Sequence, residues 1–133
     1  MEFVIDTSAI LAVIADEPEK TALVSLTRGA TLVAPPSVHW EVGNALSAMF
    51  KRARLTGSQA HRLLDFYGEI PIRFVSVDLK HAVELSADLG IYAYDAYVIA
   101  CAMNQRSPIL TLDRGLAAQA RTLKIEVPEV LSP

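Results

Sequence analysis

The sequence predicts an α/β fold, a three-layer α/β/α arrangement around a central parallel sheet of four or five strands, and three observations carry that expectation. Short apolar runs recur along the chain at Phe3-Val4-Ile5, Thr31-Leu32-Val33-Ala34 and Ile109-Leu110-Thr111-Leu112, as parallel strands buried on both faces require. Longer segments with apolar residues at helical spacing separate them. The two kinds alternate from end to end, which implies right-handed crossovers with helices lying on the sheet. The 133 residues fit a single domain spanning 1–133 with one core.

In chain order, Phe3-Val4-Ile5 is the first strand and Thr7 to Ala15 the first helix, with Asp6 at their junction. The acidic run Asp16-Glu17-Pro18-Glu19 opens a second helix, since Pro and acids suit a first turn. Thr31 to Ala34 is a strand stopped by Pro35-Pro36. Ser37 is the expected N-cap of a long helix reaching about Arg54. Thr56-Gly57-Ser58 punctuates, and Gln59 to Tyr67 is helical again. Ile72 to Val77 alternates as a third strand, and Asp78 caps a helix that Gly90 stops. Tyr94 to Gln105 is a strongly apolar helix, and Ile109 to Leu112 the fourth strand. Asp113 begins a helix to Leu123, and Lys124 to Val127 is a candidate fifth strand.

Composition narrows the classes. Hydrophobic residues make up 52% of the chain and charged residues 20%, an apolar balance for a small domain that points to a covered surface. The formal net charge of -3 argues against a duplex-coating protein, which needs a basic face. It argues less against a nuclease, because bound divalent ions reverse the sign of an acidic pocket. Cys101 is the single cysteine, in an apolar run, and is expected to be a buried, inert thiol. His39, His61 and His81 are dispersed, without the spacing of an imidazole zinc site. No segment reads as a secretion signal or a membrane span, so a cytoplasmic protein is expected.

Four acids stand in awkward places. Asp6 and Asp113 each follow a strand and precede a helix, so both emerge at the carboxyl edge of the sheet, where ligands of open α/β sheets bind. Asp78 is placed likewise. A helix cap accounts for any one of Asp6, Asp78, Asp95 and Asp113 taken singly. Glu41 resists that account: it falls beside the apolar stripe Val38, Val42, Ala45 and Met49. A carboxylate there needs a cation, a partner or a wet cleft; the alternative is a Glu at the stripe's margin that reaches water. Converging carboxylates raise one another's pKa, and a hard, oxygen-seeking Mg²⁺ or Mn²⁺ relieves the conflict.

These residues resemble the PIN-domain nucleases, and among them the VapC-type toxins of bacterial toxin–antitoxin pairs. The similarity covers essentially the entire chain. It rests on Val4-Ile5-Asp6-Thr7-Ser8, on Glu41-Val42-Gly43-Asn44 one helical turn long, on Asp95 heading an apolar helix, and on Thr111-Leu112-Asp113. The resemblance implies a PIN-like fold and a metal site of Asp6, Glu41, Asp95 and Asp113. It implies supporting hydrogen bonds from Thr7, Ser8, Asn44 and Thr111, with Asn44 orienting Glu41. It implies Mg²⁺- or Mn²⁺-dependent hydrolysis of RNA phosphodiesters, a homodimer, and an antitoxin that covers the cleft. Arg114 is a candidate phosphate contact, with a solvated helix-start arginine as the alternative. Lys51, Arg52 and Arg54 suit a helix C-terminus. Tyr92, Tyr94 and Tyr97 suit core or dimer packing rather than base stacking. Trp40, Met49, Phe50 and Leu55 suit a partner groove.

Two other readings compete. A receiver-like phosphoacceptor domain would use Asp78, but it wants paired acids after the first strand, where Thr7 and Ser8 stand. A haloacid-dehalogenase-like phosphatase wants an acid where Ser8 lies. A catalytically silent PIN module that only binds is the remaining alternative.

Overall fold

Four strands form one sheet: β1 (Glu2–Ile5), β2 (Thr31–Ala34), β3 (Ile72–Phe74) and β4 (Ile109–Leu110). Their spatial order is β3-β2-β1-β4, and every neighbouring pair is parallel. The structure is a computed structural model and describes residues 1–132. Val4 pairs with Val33 on one side and with Ile109 on the other, and all three are fully buried. The continuous apolar runs are therefore strands covered on both faces, as their composition requires, β1 and β2 inside the sheet and β4 at its edge.

Among the described residues seven helices cover the sheet: α1 (Thr7–Ile14), α2 (Lys20–Thr27), α3 (Ser37–Lys51), α4 (Gly57–Glu69), α5 (Leu79–Leu89), α6 (Ala93–Gln105) and α7 (Arg114–Thr122). Helix α1 packs on α2, α3 and α4, whereas α5 packs on α6, which lies against β1 and β4. The chain steps from β1 through β2 to β3 in one direction and then returns to place β4 on the far side of β1. Right-handed crossovers put the connecting helices of the two directions on opposite faces. Helix α6 buries Ala96, Val98, Ile99, Ala100, Cys101 and Ala102; its small residues allow close approach to the sheet. Burial pushes the Cys101 thiol up to about 12, so it stays protonated and unreactive.

Several boundaries differ from expectation for identifiable reasons. Strand β3 stops at Phe74 and β4 at Leu110. Beyond Leu110 the backbone N–H groups of Leu112 and Asp113 bond side chains instead of a neighbouring strand. The expected fifth strand does not form: after a left-handed Lys124 (φ 61°), the segment meets the sheet through the Glu126 carbonyl, which accepts from the Ile109 N–H at 3.0 Å. Among the described residues the sheet has four strands. Helix α2 begins at Lys20 and not at the acidic run, because Asp16 turns left-handed (φ 55°) after α1. Ser37 is the first residue of α3, and the N-cap is Pro36. Thr56 and Gln59 form a reciprocal capping box for α4, so the punctuation there is a helix start.

Helix α6 ends on Arg106 in the left-handed region (φ 52°, ψ 44°), where an L-residue is disfavoured by about 1–2 kcal/mol. Glycine suits this position but gives the unfolded chain more freedom. Arg106→Gly is expected to stabilise the fold by about 0.5–1 kcal/mol. Urea denaturation would show a higher midpoint at unchanged slope.

Candidate metal centre

The direction of chain winding reverses between β1 and β4, so the carboxyl ends of these two strands flank the crevice typical of ligand sites in open α/β sheets. Asp6 follows β1 directly, and Thr111 and Asp113 follow β4. Asp6 is a buried charged residue, 6% exposed. Its Oδ1 accepts from Ser8 Oγ (2.7 Å) and from the Ala9 N–H (3.0 Å), and its Oδ2 accepts from Thr111 Oγ1 (2.5 Å). The hydroxyls are themselves fixed: Ser8 Oγ accepts from the Leu112 N–H (2.9 Å) and Thr111 Oγ1 from the Asp113 N–H (3.0 Å). Each hydroxyl has one proton and gives it to Asp6. The 3.2 Å approach of Ser8 Oγ to Thr111 Oγ1 is then a contact between two oxygens already committed.

This cradle has a chemical consequence. Three donors favour the ionised carboxylate, and Oδ2 keeps a lone pair that none of them uses. Burial, and secondarily the nearby Asp113 charge, still holds the Asp6 pKa above its ordinary value of 3.8 against the pull of Thr111, Ala9 and Ser8.

Glu41 arrives from α3, beside the buried stripe of Val38, Val42 and Leu46. Thr7 Oγ1 donates to Glu41 Oε2 at 3.2 Å, while Oε1 is buried without a hydrogen-bond partner. The Ser37 hydroxyl, one turn earlier, is close enough to ease the Glu41 charge but makes no well-formed bond. Burial raises the Glu41 pKa first; the charges of Asp6 and Asp95 raise it further. Asp95 lies in the first turn of α6, whose N-cap is Tyr92. Its pKa is raised by burial and then by Asp113. Asp113 is exposed and caps α7 by accepting from the Leu116 N–H at 3.1 Å.

Asp113 acts on Asp6 and Asp95, and both of these act on Glu41, so Asp6, Glu41, Asp95 and Asp113 lie at one edge of the molecule. Capping and site membership prove compatible: Asp6 and Asp113 are N-caps and members of the cluster together. Asp78 caps α5 through the Lys80 N–H and has no part in it. Asn44 is exposed, and Thr7 is the residue that orients Glu41. Tyr92 and Tyr94 stand out of the core, at 87% and 57% exposure, so for these two the core alternative fails and the dimer contact is the part of the expectation that stays open; Tyr97 alone of the three packs against the core. Of the apolar groove candidates, Trp40 and Phe50 are exposed, but Met49 and Leu55 pack on the core.

Among the described residues, no three His, Cys, Asp or Glu side chains converge tightly enough to cage an ion. Mg²⁺ does not require such a cage, since it keeps several waters and takes one or two carboxylates directly. The donors are oxygens throughout. The unpartnered Glu41 Oε1 and the free lone pair on Asp6 Oδ2 are the two groups best placed to hold it. Asp95 and Asp113 would then engage through water or by a small side-chain movement. The donor set fits a hard divalent cation.

Residues 3–122 match the PIN domain family. The ribonuclease VapC3 of Pyrobaculum aerophilum is 30% identical over 122 residues, covering 88% of this chain and 93% of that protein. A Pyrobaculum aerophilum protein of known crystal structure superposes with a TM-score of 0.70 at 21% identity, over 92% of this chain and 95% of its own. The Rickettsia felis VapBC2 structure, bound to a DNA fragment from its promoter, gives 0.70 at 15% identity, over 96% and 98%. A Klebsiella pneumoniae toxin–antitoxin complex gives 0.62 at 12% identity, over 98% and 99%. The chain belongs to the PIN-domain family. Within that family it is of the VapC type.

Proposed function

We propose that this protein is a Mg²⁺- or Mn²⁺-dependent endoribonuclease and the toxin of a VapBC-type pair, acting in the cytoplasm. The observation that carries the reading is the charge coupling of four carboxylates from four separate elements, one of them with a buried oxygen that has no hydrogen-bond partner among the described residues. The name of the Pyrobaculum aerophilum relative, a ribonuclease, supports the reaction class.

When bound, the cation supplies Lewis-acid polarisation of the phosphate and a water of lowered pKa. The residues do the rest. Ser8, Thr111 and the Ala9 N–H fix Asp6 in one rotamer, in which Oδ2 accepts from Thr111 alone. Thr7 fixes Glu41 through Oε2 and leaves Oε1 free. Asp113 lies near enough to act on both Asp6 and Asp95, and this pair would set where incoming water and the phosphodiester sit. Because Asp6 and Glu41 are held by hydrogen bonds before substrate arrives, little reorganisation of these two is needed during the reaction.

A cognate antitoxin as partner is supported by two structural neighbours, a VapBC2 structure and a toxin–antitoxin complex. An apolar cleft of about 400 Å³ among α1, α2 and α4, with half-exposed Val24 and Phe66 on its walls, suits the apolar face of an antitoxin helix. A homodimer is the proposed resting assembly, with exposed Trp40, Leu79 and Val83 as the surplus apolar surface it would cover.

The test is cleavage of single-stranded RNA by wild type with Mg²⁺ or Mn²⁺, with EDTA, and by Asp6→Asn and Asp95→Asn. Cleavage is expected only with metal and only by wild type, EDTA treatment being reversed by added ion. Equal cleavage by all preparations would mark a contaminant. RNA binding without any cleavage would instead favour the silent module.

A further inference from the structure

The crevice does not end at the four acids. A second cleft of about 580 Å³ continues from Thr111 and Asp113 along α7, and its opposite wall is the C-terminal segment from Val127 to Ser132. Arg114 and Arg121 both line it. They are seven residues apart, two turns on one side of α7, or about 10.5 Å along the axis at 1.5 Å per residue. Both are exposed. Arg121 Nη2 donates to the Val127 carbonyl at 2.8 Å, which ties the segment to the helix and leaves the other guanidinium donors available. Arg114 makes no ion pair among the described residues.

The lining is mixed, because Glu19 and Glu129 also reach the cleft. A uniformly basic groove would track any polyanion. Guanidiniums set among carboxylates match a nucleotide better: the phosphate takes the forked donors, while carboxylates accept from exocyclic base amino groups. The volume lies within the range, ~300–1,000 Å³, of sites that enclose one small molecule. An RNA strand whose scissile phosphate lies at the acidic centre must send its next nucleotide into adjoining space, and this cleft shares Thr111 and Asp113 with that centre.

We propose that the cleft between α7 and residues 127–132 is the subsite for the nucleotide next to the scissile phosphate, with Arg114 and Arg121 holding successive backbone phosphates. The proposal rests on the ribonuclease reading. Neither arginine performs chemistry; both bind substrate.

The experiment is steady-state cleavage of a single-stranded RNA oligomer by the full chain across a salt series, for wild type, Arg114→Gln, Arg121→Gln and Arg121→Lys. Each Gln variant is expected to raise KM roughly tenfold, the loss of one charged hydrogen-bonding contact, with kcat little changed. Each should also flatten the slope of log kcat/KM against log salt by about 0.7, the value for one phosphate contact on a single strand. Arg121→Lys should restore the slope, since it keeps the charge. If Arg121 served only as a strut for the C-terminal segment, Arg121→Gln would lower the melting temperature and leave KM and slope alone; that outcome, or unchanged kinetics in Arg114→Gln, overturns the proposal while the ribonuclease reading stands. Failure of wild type to cut RNA with metal overturns both.

Discussion

Asp6→Asn is expected to abolish RNA cleavage while leaving the melting temperature equal to or above that of wild type. The loss should exceed the roughly 100-fold that removal of an outer hydrogen-bond partner of a metal site costs, since Asp6 would hold the ion itself. The stability side follows from the cradle. Asn caps a helix as well as Asp, and its Oδ1 can keep the bonds from Ser8 and the Ala9 N–H. Its amide nitrogen would replace Oδ2 and face Thr111 Oγ1, which can accept a second bond if its own proton turns away. Ser8 Oγ, 3.2 Å distant, is the acceptor for that proton. The substitution also removes a buried charge whose ionisation burial and Asp113 both oppose. Cleavage assays and thermal melts on the same preparations check the result. A folded Asp6→Asn that still cuts RNA in a metal-dependent way would remove Asp6 from the site, and a large fall in melting temperature would make it chiefly a structural cap.

This trade between stability and function explains which parts of the molecule could be read from its sequence. Val4, Val33 and Ile109 lie in runs that only a doubly covered parallel strand tolerates, so the sheet was legible. The positions of Asp6 and Asp113 were legible because a residue that follows a parallel strand has one possible edge to occupy. Glu41 was legible as a conflict, a charge beside a buried stripe. Strand ends were less so: Leu112 and Asp113 satisfy their N–H groups on Ser8 and Thr111, a hundred residues away or two residues back, and local pattern cannot separate that from a strand ladder. Ser37 looked like a cap because serine prefers caps, but Pro36 takes that place and Ser37 turns inward towards Glu41, four residues on. That i, i+4 spacing was the available signal. Arg121 and its cleft depend on where the C-terminal segment returns, which no local periodicity encodes; the seven-residue interval from Arg114 marks only a shared helix side.

The four-acid arrangement has a second large consequence, in the dependence of stability on pH. Burial first, and neighbouring carboxylates next, raise the folded-state pKa of Asp6, Glu41 and Asp95 above the ordinary 3.8, 4.5 and 3.8. Between those ordinary values and the raised ones, the folded state binds more protons than the unfolded state, so stability rises as pH falls. This is the reverse of a salt-bridged carboxylate. Above the raised values the carboxylates are ionised and the fold bears the cost of their burial and repulsion. Glu41→Gln, which keeps the acceptor for Thr7 but removes the charge, is therefore expected to melt higher than metal-free wild type at pH 7. The gap should narrow as pH falls through the raised Glu41 pKa and close below about 4.5, where wild-type Glu41 is protonated in both states. Added Mg²⁺ should raise the wild-type melting temperature at pH 7 by binding the folded state alone, and raise that of Glu41→Gln much less. Melting curves for the two proteins from pH 7 down to pH 4, with EDTA and with Mg²⁺, measure both effects. A gap that stays constant with pH would show that Glu41 carries no strained charge, and a gap of opposite sign at pH 7 would mean its carboxylate is already compensated within the protein and has no need of an ion.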